Sequence, residues 1–183
     1  MHNYSGIKEA QAQMRKYYAG GATGVLVSGA VWLLCAIAST LYPPKQTMWV
    51  LLIGGALIHP VSILLGKLMG IKDKQPAGNP LARLAMEGTL FMIFCIPLAY
   101  GYASQHAEWF FLGIMLIIGG RYLTFSTLYG NNIYWLLGFA IVTASYILFK
   151  SRASIIVIAL TMSIIETCLG LFILINYKKN KTG

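Results

Sequence analysis

Four side chains stand where hydrocarbon tolerates them least: His59, Glu87, Arg121 and Glu166 each interrupt a long apolar run. A charged group at mid-membrane costs about 2.5–3.5 kcal/mol on insertion scales, so such groups turn to a protein interior and find partners there. Two of them lie in stripes of small and hydroxyl residues at helical spacing. Gly55, His59, Ser62 and Gly66 form one, and Ser163, Glu166, Thr167 and Gly170 form the other. Such a stripe is what a bundle interior or a narrow aqueous cavity requires. The set is suited to handling a solute or ion. Glu166 and Glu87 supply exchangeable charge, Arg121 balances it or holds an anion, and His59 gates or relays protons. Pro60 beside it frees the carbonyl of Ala56, a group that can line a cation or polar-solute site.

At 1.5 Å per residue, Glu87 lies roughly 10 Å from the start of its apolar run and Arg121 roughly 12 Å from the end of its own. The depths match, so all four are expected in one buried cluster in the inner half of the bundle. Each has a plainer reading. Glu87 follows Arg83 by four residues and can pair with it near the headgroups. Arg121 can fix helix register by pairing with a glutamate, and His59 can bond a backbone carbonyl. Glu166 has no basic residue near enough on its own helix.

The elements that must carry these groups follow from composition. The chain has 183 residues, 57% hydrophobic and only 10% charged, which excludes an ordinary soluble domain and a disordered chain alike. A net charge of +9 in a soluble protein would suggest nucleic acid, but the basic residues flank uncharged runs, so no nucleic-acid partner is expected. A membrane-spanning helix needs about 20 mainly apolar residues. Six segments qualify, near residues 21–42, 48–69, 81–103, 109–129, 133–149 and 153–177. They lack the alternation of a barrel wall. The expected fold is all-α, one transmembrane domain built as a bundle of six helices.

Residues 1–20 are too polar for a signal peptide. Ile7, Ala10, Met14 and Tyr17/Tyr18 recur at helical spacing among Lys8, Glu9, Arg15 and Lys16, which predicts a short amphipathic helix on the cytoplasmic surface. Lysine and arginine favour one side. Lys8, Arg15, Lys16, Lys67, Lys72, Lys74, Arg83, Lys178, Lys179 and Lys181 lie there, against Lys45, Lys150 and Arg152 on the other. Both termini are therefore expected in the cytoplasm, with the last hairpin the weakest part of that assignment.

Lipid offers no hydrophobic drive for helix association, so small residues set the packing. Gly20, Gly24 and Ser28 repeat every four, as do Ser62, Gly66 and Gly70, and both stripes suit contact within the chain or in a homo-oligomer. The run Leu51-Leu52-Ile53-Gly54-Gly55 is similar to Leu116-Ile117-Ile118-Gly119-Gly120, which hints at a parallel repeat of hairpins. Trp32, Trp49, Trp109, Trp135 and the tyrosines are read mainly as interfacial belts and packing. Cys35, Cys95 and Cys168 are read as buried apolar residues. His106 and Glu108 are two ligands short of a metal site. No catalytic residue, metal or cofactor is assigned.

Two stretches are familiar. Residues 15–32 read Arg-Lys-Tyr-Tyr-Ala-Gly-Gly-Ala-Thr-Gly-Val-Leu-Val-Ser-Gly-Ala-Val-Trp, and residues 119–130 read Gly-Gly-Arg-Tyr-Leu-Thr-Phe-Ser-Thr-Leu-Tyr-Gly. With Ile53-Gly54-Gly55, His59-Pro60 and Asn79-Pro80 between them, the chain from about residue 10 to 140 resembles a family of small bacterial multi-pass membrane proteins of unknown function. The resemblance implies a bacterial inner-membrane protein and supplies no activity. In that family the fourth span carries His-Tyr-Leu-Pro-Phe before Leu-Tyr-Gly. Here Arg121 and Thr124 stand at the His and Pro positions.

The leading expectation is transport or conduction of a small, unidentified solute or ion through the polar cluster, with membrane lipids as partners. A second class is a membrane scaffold or effector that binds anionic lipid or a partner through the basic N-terminal helix and residues 70–80. A third, a lipid-modifying enzyme using His59 or His106/Glu108, shows neither a nucleophile–base pair nor a complete metal set.

Overall fold

The computed structural model describes residues 6–71 and 78–182, with side chains to residue 179. Lys72 and Lys74 of the connector, and the side chain of Lys181, lie outside the described residues. Among the described residues the chain is all helical: α1 (Ile7–Tyr18), α2 (Ala22–Leu41), α3 (Pro44–Leu68), α4 (Pro80–Tyr102), α5 (Ala107–Tyr129), α6 (Ile133–Lys150) and α7 (Ile155–Thr182). Six helices are long and apolar enough to cross a membrane.

Local chemistry marks the boundaries. Pro44 and Pro80 open α3 and α4 at the first helical position, where a missing N–H costs nothing. The Asn79 side chain caps α4 by accepting from the Leu81 N–H at 2.9 Å. Gly130, in the left-handed region, closes α5. The turn between α1 and α2 is tighter, with Ala19, Gly20 and Gly21 all at positive φ (50°, 64° and 88°). Three left-handed residues in succession break the helix between α1 and α2, and glycine adopts that backbone without the penalty other residues meet.

Helix α2 is sandwiched between α7 and α3, and α5 between α4 and α6, while α7 also touches α5 and α6. The core therefore runs through α2, α5, α6 and α7, with Trp32, Phe110, Phe111, Met115, Tyr134 and Ile158 fully buried. Trp32 belongs to this core, while Trp49 and Trp135 are exposed. Only 6% of the apolar stretch of α4 and 17% of that of α3 is enclosed by protein, against 50% for the stretch through α2.

The amphipathic N-terminal helix forms, but its apolar face is not left for lipid. Ala10 and Met14 are buried against the bundle. Gln11 donates to the Thr127 carbonyl at 2.8 Å, Arg15 to the Tyr129 carbonyl at 2.7 Å, and Asn79 to the Ala10 carbonyl at 3.0 Å. The carbonyls that end α5 have no partner in their own helix, and α1 supplies donors to them.

The tightest helix contacts are not the ones the every-four stripe suggests. A methyl group built at Gly24 would meet nothing within 4 Å, and one at Gly70 likewise. Gly20 and Gly66 would make only ordinary contacts, with Ile173 and Ile71 at 3.8 and 3.7 Å. At Gly29 a methyl would meet the Thr167 hydroxyl at 2.7 Å, and at Gly170 it would meet Leu26 at 3.0 Å. The α2–α7 seam thus runs through Val25, Gly29 and Gly170. Gly119 and Gly138 bring α5 and α6 into backbone contact in the same way. Both members of the suspected repeat use their first glycine, but Gly54 meets Val31 of the preceding helix and Gly119 meets the following one.

Candidate functional site

Glu166 sits where α2, α5 and α7 meet and is 0% exposed. Helical spacing on α7 explains the position. Ser163, Glu166, Thr167 and Gly170 occupy one face, and that face is the seam with α2: Ser163 donates to the Gly29 carbonyl at 2.8 Å, and Thr167 and Gly170 lie against Gly29 and Val25. Close approach at Gly29 brings the carboxylate under the neighbouring helices. The Tyr122 hydroxyl of α5 donates to Oε1 of Glu166 at 2.5 Å, and Ser28 of α2 is the second hydroxyl at the carboxylate. Among the described residues Oε2 has no hydrogen-bond partner. Among the described residues no ion pair reaches Glu166.

Tyr122 is itself held in an aromatic group. Its ring stacks on Tyr134 with centroids 6.1 Å apart and meets Phe125 edge-on at 5.4 Å. Tyr134 in turn donates to the Gly20 carbonyl at 2.5 Å. The buried carboxylate is therefore connected, through two tyrosines, to the left-handed turn that docks α1.

The other three expected members stand elsewhere. Arg121 adjoins Tyr122 in sequence, but consecutive helical residues diverge by about 100°, so their side chains cannot share a face. Arg121 is half-buried on the α4 side, where it donates to the Thr89 hydroxyl at 2.8 Å and approaches the Met92 sulfur at 3.6 Å. Its guanidinium lies 5.3 Å from the Phe125 ring centroid, and among the described residues Nε has no hydrogen-bond partner. Glu87 is exposed on α4 and faces Arg83 at 3.9 Å, the i,i+4 pairing foreseen as its plainer reading. His59 is exposed at the margin of the narrow buried stripe of α3, its ring 6.4 Å from that of Tyr18. The four do not form one cluster. Helices α3 and α4 lie at the periphery, and their polar residues cannot reach the α2–α7 seam.

Ser62 and Gly66 of the His59 stripe do face protein, lining an open pocket of about 360 Å³ with Tyr17, Tyr18, Thr23 and Lys67. Cys35 is buried, Cys95 half-buried and Cys168 exposed.

Tyr122 is the residue that reasoning from sequence missed, and Ser28, singled out there only for helix packing, is the other hydroxyl at the carboxylate. Tyr122 was hidden among eleven tyrosines. Its signal was its place beside Arg121 at the same depth as an unpaired glutamate. The two stretches that carry the family resemblance meet here: residues 15–32 supply Arg15, Gly20 and Ser28, and residues 119–130 supply Tyr122 and Tyr129. No curated protein and no solved structure matches the chain. A family model does, over residues 7–176, almost the whole length, and the chain belongs to the family it describes, a family of unknown function (DUF7010).

Proposed function

We propose that this chain is a multi-pass protein of a bacterial inner membrane that moves a small solute or ion, with Glu166 as the exchangeable charge and a proton as its simplest cargo. One observation carries the reading. A carboxylate in the middle of an apolar helix is fully enclosed, with the Tyr122 hydroxyl on Oε1, the Ser28 hydroxyl nearby, and, among the described residues, no hydrogen bond to Oε2 and no cation beside it. An uncompensated polar group of this kind is costly, about 1–3 kcal/mol for the orphaned atom alone. Groups kept at such cost inside membrane helices mark ion and proton pathways.

The mechanism follows from the enclosure. Because protein covers Glu166 on every side, water or a cation reaches Oε2 only when the α2–α7 seam or the α5 contact opens. Tyr122 keeps Oε1 fixed and leaves Oε2 as the atom that exchanges. Arg121, tied to α4 rather than to Glu166, acts as a positioning residue that holds the peripheral helix against α5. The distribution of lysine and arginine supports both termini facing the cytoplasm, so that α1 closes the inner end. Proton flux into liposomes carrying the wild-type chain or Glu166→Gln tests the proposal.

A further inference from the structure

Three elements bring polar ends together where the apolar runs of α5 and α7 stop. An open pocket of about 550 Å³ is lined by Arg15 of α1, Gly130 and Asn131 of the α5–α6 turn, and Asn176 and Lys179 of α7. Among the described residues its lining holds a guanidinium, an ammonium and two amides. The end of α5 would ordinarily repel an anion through its unpaired carbonyls. Here those carbonyls are covered, Thr127 by Gln11 and Tyr129 by Arg15. Arg15 commits Nη1 to that bond, and a guanidinium has five N–H donors in all. Asn131 accepts from the Ile133 N–H through Oδ1 at 3.1 Å, and its amide donors have no partner among the described residues. Helix α6 begins at Ile133, so the positive end of its dipole opens at the same place.

From this convergence we infer that the pocket binds a phosphate group, presented by the headgroup of an acidic phospholipid or by free phosphate. The depth suits it, since helix ends lie at headgroup level. The bound group would join α1, the α5–α6 turn and α7. The site is separate from Glu166, so its failure and the failure of the transport reading are distinguishable.

The experiment follows the thermal midpoint of the full chain in an uncharged detergent. Phosphatidylglycerol, phosphatidylcholine, inorganic phosphate and chloride are titrated at matched ionic strength. The inference predicts a saturable rise with phosphatidylglycerol or with inorganic phosphate, and none with phosphatidylcholine or chloride. A rise with phosphatidylglycerol alone identifies the lipid headgroup as the source, and a rise with inorganic phosphate identifies the anion itself. Lys179→Glu and Asn176→Asp should each weaken half-saturation by about tenfold, the scale of one lost charge-assisted hydrogen bond. Lys150→Glu, exposed at the opposite end of α6, makes the same charge change as Lys179→Glu and should keep the response. Equal rises with phosphatidylcholine, an unchanged response in Lys179→Glu, or equal loss in Lys150→Glu would overturn the assignment.

Discussion

The hydroxyl of Tyr122 and Oε1 of Glu166 lie 2.5 Å apart, joining α5 to α7 inside a bundle whose described residues give the second carboxylate oxygen no hydrogen bond. A group kept for stability and one kept for function predict different mutants. Removing the donor with Tyr122→Phe should lower stability by about 1–3 kcal/mol, because the carboxylate then loses a bond it cannot replace. Replacing the acid with Glu166→Met should be neutral or stabilising, as exchanges of buried charge for apolar residues of similar volume often are. In the Glu166→Met background Tyr122→Phe should cost less than in the wild type. Thermal midpoints of the four proteins in detergent measure the coupling.

The α2–α7 seam offers a contrast between two glycines of one helix. Gly29→Ala places a methyl 2.7 Å from the Thr167 hydroxyl and 3.2 Å from the Thr167 backbone nitrogen, so α7 must move. Overpacking of this kind costs about 1–3 kcal/mol. Gly24→Ala meets nothing within 4 Å and should leave stability unchanged or slightly raised, since alanine is the better helix former. Equal losses at both positions would show that the seam does not run through Gly29.

The turn that docks α1 should fail locally. Gly21→Ala forces a side chain into left-handed backbone, which costs roughly 1–2 kcal/mol, and also drives a methyl into the Tyr129 ring and the Tyr134 hydroxyl. Tyr134→Phe removes only the bond to the Gly20 carbonyl. Both should speed hydrogen exchange across α1, Gly21→Ala the more, while amides in the middle of α6 stay protected. Uniform acceleration throughout the chain would mean that the turn serves the whole bundle rather than α1.

The six long helices were legible because an apolar run of about 20 residues carries its own signal, independent of any tertiary contact. Which face of each run meets protein was much harder to read. In lipid the outward face is as apolar as the inward one, so the contrast that marks a soluble helix is absent. Gly24 and Gly29 are therefore equal as residue types, and only the arrival of Thr167 separates them. The Ser163–Gly170 stripe was readable because a carboxylate cannot face hydrocarbon. His59 and Glu87 obey the same rule less strictly, since the Glu87 carboxylate finds Arg83 on its own helix and His59 stands near Tyr18. The partner of Glu166 was harder to read, because it comes from 44 positions away on another helix and only its place beside Arg121 marked it.

Orientation rests on charge and is open to a direct check. In a background with Cys35, Cys95 and Cys168 replaced by alanine, Lys45→Cys and Lys67→Cys place thiols at opposite ends of α3, both exposed. A thiol reagent that cannot cross the membrane should label Lys45→Cys in intact spheroplasts, and Lys67→Cys only after permeabilisation. The reverse pattern would put the termini outside.

Proton flux decides whether Glu166 is an exchange site. Liposomes loaded with a pH-sensitive dye, carrying the purified chain and driven by a potassium diffusion potential, report proton entry. The wild type should acidify the lumen well above protein-free vesicles, and Glu166→Gln should lower the protein-dependent rate by at least about tenfold, the effect of some 1.4 kcal/mol on a barrier. Glu87→Gln, altered at an exposed pair on α4, should match the wild type. A Glu166→Gln protein that folds and conducts at the wild-type rate would contradict the role given to this carboxylate.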